Sequence, residues 1–181
     1  MSGKLHVDIA AVEEAAKLLY IRALDVVGQQ LQRGFKRLDA AETDGTARTI
    51  LATMIENIAV AEKTDNLLCQ DTGIPIFNIE IGRDVDVDGV ELKEAIRRGT
   101  ARATKEYPLR SSVVHPLTRQ NEHTSSGIRV PVINIDFIDR PQTLRIEMIP
   151  KGSGSENGSF LKMLIPADGI DGIKTFVIDR V

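Results

Sequence analysis

The chain has 181 residues, of which 42% are hydrophobic and 27% charged, with a net charge of −3 and a pI near 5.7. That balance suits a globular chain able to bury a core, and it excludes the basic face that a general nucleic-acid or membrane-surface binder needs. No apolar run of about 18 residues and no basic–apolar–small leader is visible, so the expectation is a cytoplasmic protein with no membrane span.

With no tryptophan and only 4% aromatic residues, the core is expected to be aliphatic. Residues 1 to 65 read as helical. In VDIAAVEEAAKLLYIRALDVV, the apolar residues Val12, Ala16, Leu19, Ala23 and Val26 recur at spacings of three and four, with Asp8 as N-cap. The stretch from Gly28 to Gly34 is expected to interrupt the helical run. A second helix is predicted from Thr43 or Asp44 through TARTILATMIENIAVAEK, with a stripe of Ile50, Met54, Ile58 and Ala61, and Asp65 and Asn66 end it.

The character then changes to mixed α/β. IPIFNIEIG, residues 74 to 82, alternates with period two and predicts a strand. Asp88-Gly89 signals a turn, and residues 90 to 107 read as a surface helix of mixed charge. The polar stretch 116 to 129 predicts a loop. VPVINIDFI, residues 130 to 138, and TLRIEMIP, residues 143 to 150, predict two more strands. KGSGSENGS, residues 151 to 159, is a glycine–serine loop. In the closing DGIDGIKTFVIDRV, residues Ile173, Phe176, Val177 and Val181 fall at helical spacing. That stripe is still running at the last residue, so the chain end reads either as a fraying terminus or as the front of a longer domain. The fold class expected is mixed α/β: a helical N-terminal segment packed on a mixed sheet with flanking helices.

Three stretches carry candidate chemistry. NLLCQDTGIPIF holds Cys69, the one cysteine of the chain. A thiolate ligand needs an accessible turn, and the Gln-Asp-Thr-Gly that follows supplies one. Asp71, Thr72 and the glycine serve a plain helix stop equally well, so both readings stand on the residues alone. One cysteine excludes an internal disulfide and, with no CxxC partner, is no metal signature by itself. PKGSGSENGSFLKML sets backbone N–H groups and Lys151 where an anion could be bound, although it lacks the Walker spacing and also reads as a flexible surface loop. In YPLRSSVVHPL, Arg110 is either a fork for a carboxylate or a solvated cation. His115 and His123 show no close ligand spacing. DVDVDG, residues 84 to 89, lacks the later glutamate of a calcium loop and reads as an acidic strand and turn.

The order of these stretches (IENIAVAEK, then CQDTG and a strand, LRSSVV, PKGSGSEN and ADGIDGIKTFV) resembles the N-terminal part of the class I fumarase and L(+)-tartrate dehydratase family. The likeness is to the alpha subunit of the two-subunit forms and covers nearly the whole chain. It implies an iron–sulfur hydro-lyase acting on four-carbon dicarboxylic acids. The family's [4Fe–4S] cluster is held by three cysteines and leaves one iron open as a Lewis acid. By resemblance, Cys69 is the first ligand, Asp71 the proton donor or relay, Gln70 a residue that orients the substrate, and Arg110, Lys151, Gly152 and Gly154 substrate-binding residues. The proton-abstracting base is expected on a beta subunit or a C-terminal domain, in a homo- or hetero-oligomer. The family's second cysteine lies in a CPP segment beyond residue 181. The resemblance therefore implies a front part of an alpha subunit that, isolated, has no stable cluster and negligible hydratase activity. Fumarate and malate are the leading substrates on the look of PKGSGSEN, with L(+)-tartrate as the alternative. A non-catalytic interaction domain that keeps the family fold, and a thiol enzyme using Cys69 with His115 or His123, are further readings. Ile173, Val177 and Val181, left uncovered, are expected to drive association.

Overall fold

The computed structural model describes residues 3–69, 71–152, 154 and 157–180. Gln70 and Val181, both named above, lie outside the described residues. The described residues form five helices and five strands. They are β1 (Leu5–His6), α1 (Ile9–Asp25), α2 (Gln29–Ala41), α3 (Gly45–Thr64), β2 (Ile74–Arg83), β3 (Val85–Asp86), α4 (Gly89–Glu106), β4 (Val132–Pro141), β5 (Leu144–Lys151) and α5 (Gly169–Ile178), with a 3₁₀ turn over Pro166–Asp168. This is the mixed α/β class that the sequence predicts.

β2 is the central strand of a three-stranded sheet in the order β4-β2-β5, parallel to β4 and antiparallel to β5. Its alternation is the reason for that place. Phe77, Ile79 and Ile81 point to one face and are buried, while Ile76, Asn78 and Glu80 point to the other and stay half-buried. α1 and α4 cover the first face: Val12 and Ala16 from α1 and Leu92, Ala95 and Ile96 from α4 close the core over β2. The opposite face carries a polar band. Asn134 donates to Asn78 across 2.9 Å, and Arg145 lies 3.5 Å from Glu80.

α4 corrects the sequence reading most. Residues 90 to 107 read as a surface helix, yet Leu92, Ala95, Ile96, Gly99, Thr100, Ala103 and Thr104 are all buried. Apart from Leu92 and Ile96, the inward face is built of small residues, which carry little hydropathy signal but let two helices approach closely. At Gly99, an added Cβ would stand 2.8 Å from Cβ of Ala16 and overlap the backbone of Glu13. The charged face of α4 then reaches α1. Arg98 and Arg102 bond Glu13 at 2.7 and 3.1 Å, and Lys17 bonds Glu106 at 2.9 Å. The Asp88-Gly89 turn is also the start of α4, because the Asp88 carboxylate caps it by accepting from the amides of Val90 and Glu91.

The inward stripe of α1 is Val12, Ala16, Tyr20 and Leu24, a row at spacing four, whereas Leu19 and Ala23 flank it and Val26 is exposed beyond the helix end. The expected interruption at residues 28 to 34 is confined to the start of that stretch. Gly28 is the N-cap of α2, and Gly34 lies inside it. α3 begins at its Asp44 cap and ends at Asp65, which adopts the left-handed conformation, as the sequence predicts. Of its stripe, Ile58 and Ala61 are buried, but Ile50 and Met54 remain exposed.

Candidate functional site

Sheet register brings the two glycine-bearing loops together. Ile74, the first residue of β2, pairs with Lys151, the last residue of β5. The segment that enters β2, residues 71 to 73, and the segment that leaves β5, residues 151 and 152, therefore meet at one end of the sheet. β4 runs parallel to β2 with Ile76 beside Val132, so the polar loop before β4 arrives at the same end. The turn after α4 brings Leu109, Arg110 and Ser111 there as well.

Contact at this end is tight. Gly73 has φ +69°, a conformation that glycine adopts freely, and a Cβ there would stand 2.6 Å from the Lys151 carbonyl oxygen. Thr72 is wholly buried, and its hydroxyl donates to the main-chain oxygen of Arg110. Asp71 then stands across from Arg110, with 3.9 Å between its Oδ1 and the guanidinium Nη2. The same Oδ1 accepts from the Gly73 amide at 3.2 Å, an Asx turn that holds the carboxylate over its own loop. Cys69 is a free, exposed thiol, and its Sγ accepts from the Asp71 amide at 3.4 Å. Arg110 is 60% exposed, so its fork is available to an anion while its backbone is fixed from below.

Of the residues singled out in the sequence, Cys69, Asp71, Arg110, Lys151 and Gly152 thus sit on segments that converge. Gly154 follows on the exposed stretch of the same loop. His115 is used locally, its Nδ1 accepting from the amides of Leu117 and Thr118 at 3.3 and 3.2 Å. The amide of His123 donates to Asn121 Oδ1 at 2.8 Å, and Asn121 in turn donates to the Ser111 oxygen at 2.9 Å. Among the described residues, no group of three or more His, Cys, Asp or Glu side chains is placed to hold a metal ion.

Sequence reasoning missed the layer beneath. Tyr20, fully buried in α1, directs its hydroxyl at the carbonyl oxygens of Thr72 and Gly73, 3.3 and 3.4 Å away. Burial pushes the Tyr20 phenol above its ordinary value of 10.0, because phenolate is poorly solvated there. Ser125, also fully buried, accepts from Thr104 at 2.9 Å, and its amide donates to the Ser111 hydroxyl at 3.1 Å. A tyrosine four residues after Ala16 on an aliphatic helix face was the available signal. A buried phenol needs a polar partner.

What these residues define is an acid, a cation and a thiol gathered at one end of a mixed sheet, above a buried hydroxyl layer. Comparison with known proteins places the chain more narrowly. The profile of the fumarate hydratase (Fumerase) family matches residues 13–181, and the chain belongs to that family. It is 44% identical over 158 residues to the putative L(+)-tartrate dehydratase subunit alpha of Methanocaldococcus jannaschii, covering 86% of this chain and 54% of that protein. Against the L(+)-tartrate dehydratase subunit alpha of Escherichia coli K12, the identity is 30% over 146 residues, 81% of this chain and 48% of that one. A putative class I fumarate hydratase of Geobacillus stearothermophilus is 28% identical over 178 residues, 93% of this chain and 34% of its own length. The chain therefore spans about half the length of the tartrate dehydratase subunits and about a third of the fumarate hydratase. Its relatives are hydro-lyases by name, and two of them are named as alpha subunits. No described helix is long and apolar enough to cross a membrane.

Proposed function

We propose that this chain forms one wall of a hydro-lyase site for a four-carbon dicarboxylic acid, with Arg110 and the amides of the Lys151–Gly154 loop receiving the carboxylates and Asp71 handling the proton at the departing or entering hydroxyl. The observation that carries this reading is the convergence of Asp71, Arg110 and Lys151 on one sheet end, set by the pairing of Ile74 with Lys151 and by the 3.9 Å approach of Arg110 to Asp71. Arg110 offers a planar fork suited to a carboxylate. Asp71 lies within reach of the same ligand and is oriented by the Gly73 amide. Gln70 is assigned the orientation of the substrate on the resemblance alone. The base that takes the carbon-bound proton lies on a beta subunit or a further domain in this reading.

Cys69 suits one corner of an iron–sulfur cluster, being exposed beside Asp71. The 181 residues contain one cysteine, and one thiolate does not hold a [4Fe–4S] cubane. These residues therefore do not fit the whole group, and no step of the reaction is derived through it. The isolated chain is expected to hold no stable cluster and to show negligible hydratase activity. Iron and acid-labile sulfide are measured after anaerobic reconstitution: well under one equivalent per chain agrees with this expectation, and about four irons contradict it.

Two substrates have support. The glycine loop from Lys151 resembles the fumarase type and favours hydration of fumarate to malate, whereas the alpha subunit at 44% identity is named for L(+)-tartrate. Both are four-carbon dicarboxylates with two carbons between the carboxyl groups, and malate and tartrate each carry a hydroxyl beside a carboxylate, so the same wall serves either. Such a protein acts in the cytoplasm, within or beside the tricarboxylic acid cycle, in an oligomer with the subunit that carries the base. The retained Asp71 and Arg110 geometry favours this reading over a non-catalytic interaction domain, and the local use of the His115 Nδ1 gives no support to a thiol enzyme with that base.

A further inference from the structure

We infer that Thr72, seated on Tyr20, is a positioning residue that locks residues 71 to 73 to Arg110 so that Asp71 and the guanidinium face each other. This inference rests on the reading of Asp71 and Arg110 as the carboxylate-binding wall. It concerns how that wall is held.

Two hydrogen bonds meet at Thr72, and a third holds its neighbour Gly73. The Thr72 side chain points inward and donates its hydroxyl to the Arg110 main-chain oxygen. Its own main-chain oxygen points toward the Tyr20 hydroxyl, 3.3 Å away, which also reaches the Gly73 oxygen. Thr72 and Tyr20 are both 0% exposed, so water cannot replace these partners. Asp71 precedes Thr72 directly, and Gly73 follows it and packs on the Lys151 backbone. Arg110 and Asp71 come from segments 39 residues apart in number, but this hydrogen bond ends on the Arg110 backbone itself and starts one residue from Asp71. Without the Thr72 hydroxyl, the Arg110 carbonyl loses this part-buried donor, and the turn after α4 is free to move away from the turn before β2. A second shelf supports the far side of Arg110, where Ser111 is buried and its hydroxyl accepts from the Ser125 amide at 3.1 Å. Arg110 is therefore clamped through its backbone on both sides while its side chain stays open. The site needs that arrangement for a charged group meant to bind a ligand.

The test compares Thr72→Val, which keeps the shape and loses the hydroxyl, with Thr72→Ser, which keeps the hydroxyl. Amide hydrogen exchange of the full chain is read at Gly73, whose N–H donates to the Asp71 carboxylate, and at Ile79 and Ile96 as core references. Urea unfolding supplies the global stability of each variant. A positioning role predicts that Thr72→Val lowers protection at Gly73 by roughly tenfold more than at Ile79 and Ile96. It also predicts that Thr72→Ser restores the wild-type value. Protection that falls equally at all three amides, no change at Gly73, or failure of Thr72→Ser to restore it overturns the inference. Should Thr72→Val not fold, Tyr20→Phe is read in the same way, with selective loss at Gly73 expected and uniform or absent loss overturning it. Succinate titrated into the wild-type chain separates this inference from the reading beneath it. No binding sinks the carboxylate-wall reading, while the exchange pattern still decides the role of Thr72. Binding that weakens in Thr72→Val and returns in Thr72→Ser supports both.

Discussion

The layer of β2, α1 and α4 and the stretch from residue 160 to 180 are both rich in aliphatic residues, yet they end in opposite environments. Phe77, Leu92 and Ile96 are 0% exposed, while Leu161 is 91%, Met163 86% and Ile178 74% exposed. The first group has a facing layer: the sheet presents one apolar face, and two helices close it. The second group stays largely exposed, with Arg180 stacked over the rings of Phe160 and Phe176 at 5.3 and 6.0 Å. An apolar pattern records which residues favour burial, and topology decides whether a partner is at hand.

The largest expected effect lies in the covered layer. Phe77→Ala removes a buried ring from the centre of the sheet and is expected to cost about 3–5 kcal/mol in urea unfolding. The equivalent cut in the uncovered stretch, Ile173→Ala in α5, is expected to change stability by less than about 0.5 kcal/mol. A comparable loss at both sites would erase the contrast. Next in size, Gly73→Ala forces a methyl onto the Lys151 backbone at a positive φ. Its expected cost is about 2 kcal/mol, concentrated where the two loops meet. Local loss of amide protection around residues 71 to 74 with the α2–α3 pair unaffected sharpens the point.

How much of this was legible beforehand depended on the kind of signal. β2 showed itself because one strand face is buried and the other is not, which writes a period of two into the residues. α4 did not, because only Leu92 and Ile96 on its buried face are strongly apolar, while Ala, Gly and Thr make up the rest and leave the charges of its outer face to dominate the pattern. Cys69, Asp71, Arg110 and Lys151 could be picked out by residue type. That Ile74 pairs with Lys151, and so brings them to one sheet end, is a matter of register between strands some 70 residues apart, which no local pattern carries. Tyr20 stays hidden because the stripe read from its helix runs through Leu19 and Ala23, whereas the buried row is Val12, Ala16, Tyr20 and Leu24.

Smaller effects follow from the ionisable groups. Tyr20 has its pKa raised by burial, so its contribution to stability is present below the ordinary 10.0 and is lost as pH rises through the folded value. Wild-type stability is expected to fall as pH rises above about 10, and that of Tyr20→Phe to fall less over the same range. Equal slopes would show that the phenol is not the group responsible. At the end of α1, Asp25 has a buried Oδ1 with no hydrogen-bond partner among the described residues, and burial holds its carboxyl above the usual 3.8. A negative charge at a helix C-terminus is also unfavourable. Asp25→Asn is expected to stabilise the chain by about 0.5–1 kcal/mol at pH 7. That gain should shrink as acid protonates the wild-type carboxyl, and a destabilising Asn would point to a partner for Asp25 in solution. Last, Ile173→Ser is expected to reduce self-association in sedimentation velocity without moving the urea midpoint, because the α5 stripe is uncovered to begin with.

The central claim is that Asp71, Arg110 and the loop from Lys151 form one anion-receiving wall. The most direct test is a ¹⁵N titration of the chain with malate and, separately, with L(+)-tartrate, in the wild type and in Arg110→Ala. The account predicts saturable shifts clustered at the amides of Asp71, Gly73, Arg110 and Gly152, and their loss in Arg110→Ala with the fold intact. Shifts scattered away from that sheet end, or unchanged by the loss of Arg110, would contradict it.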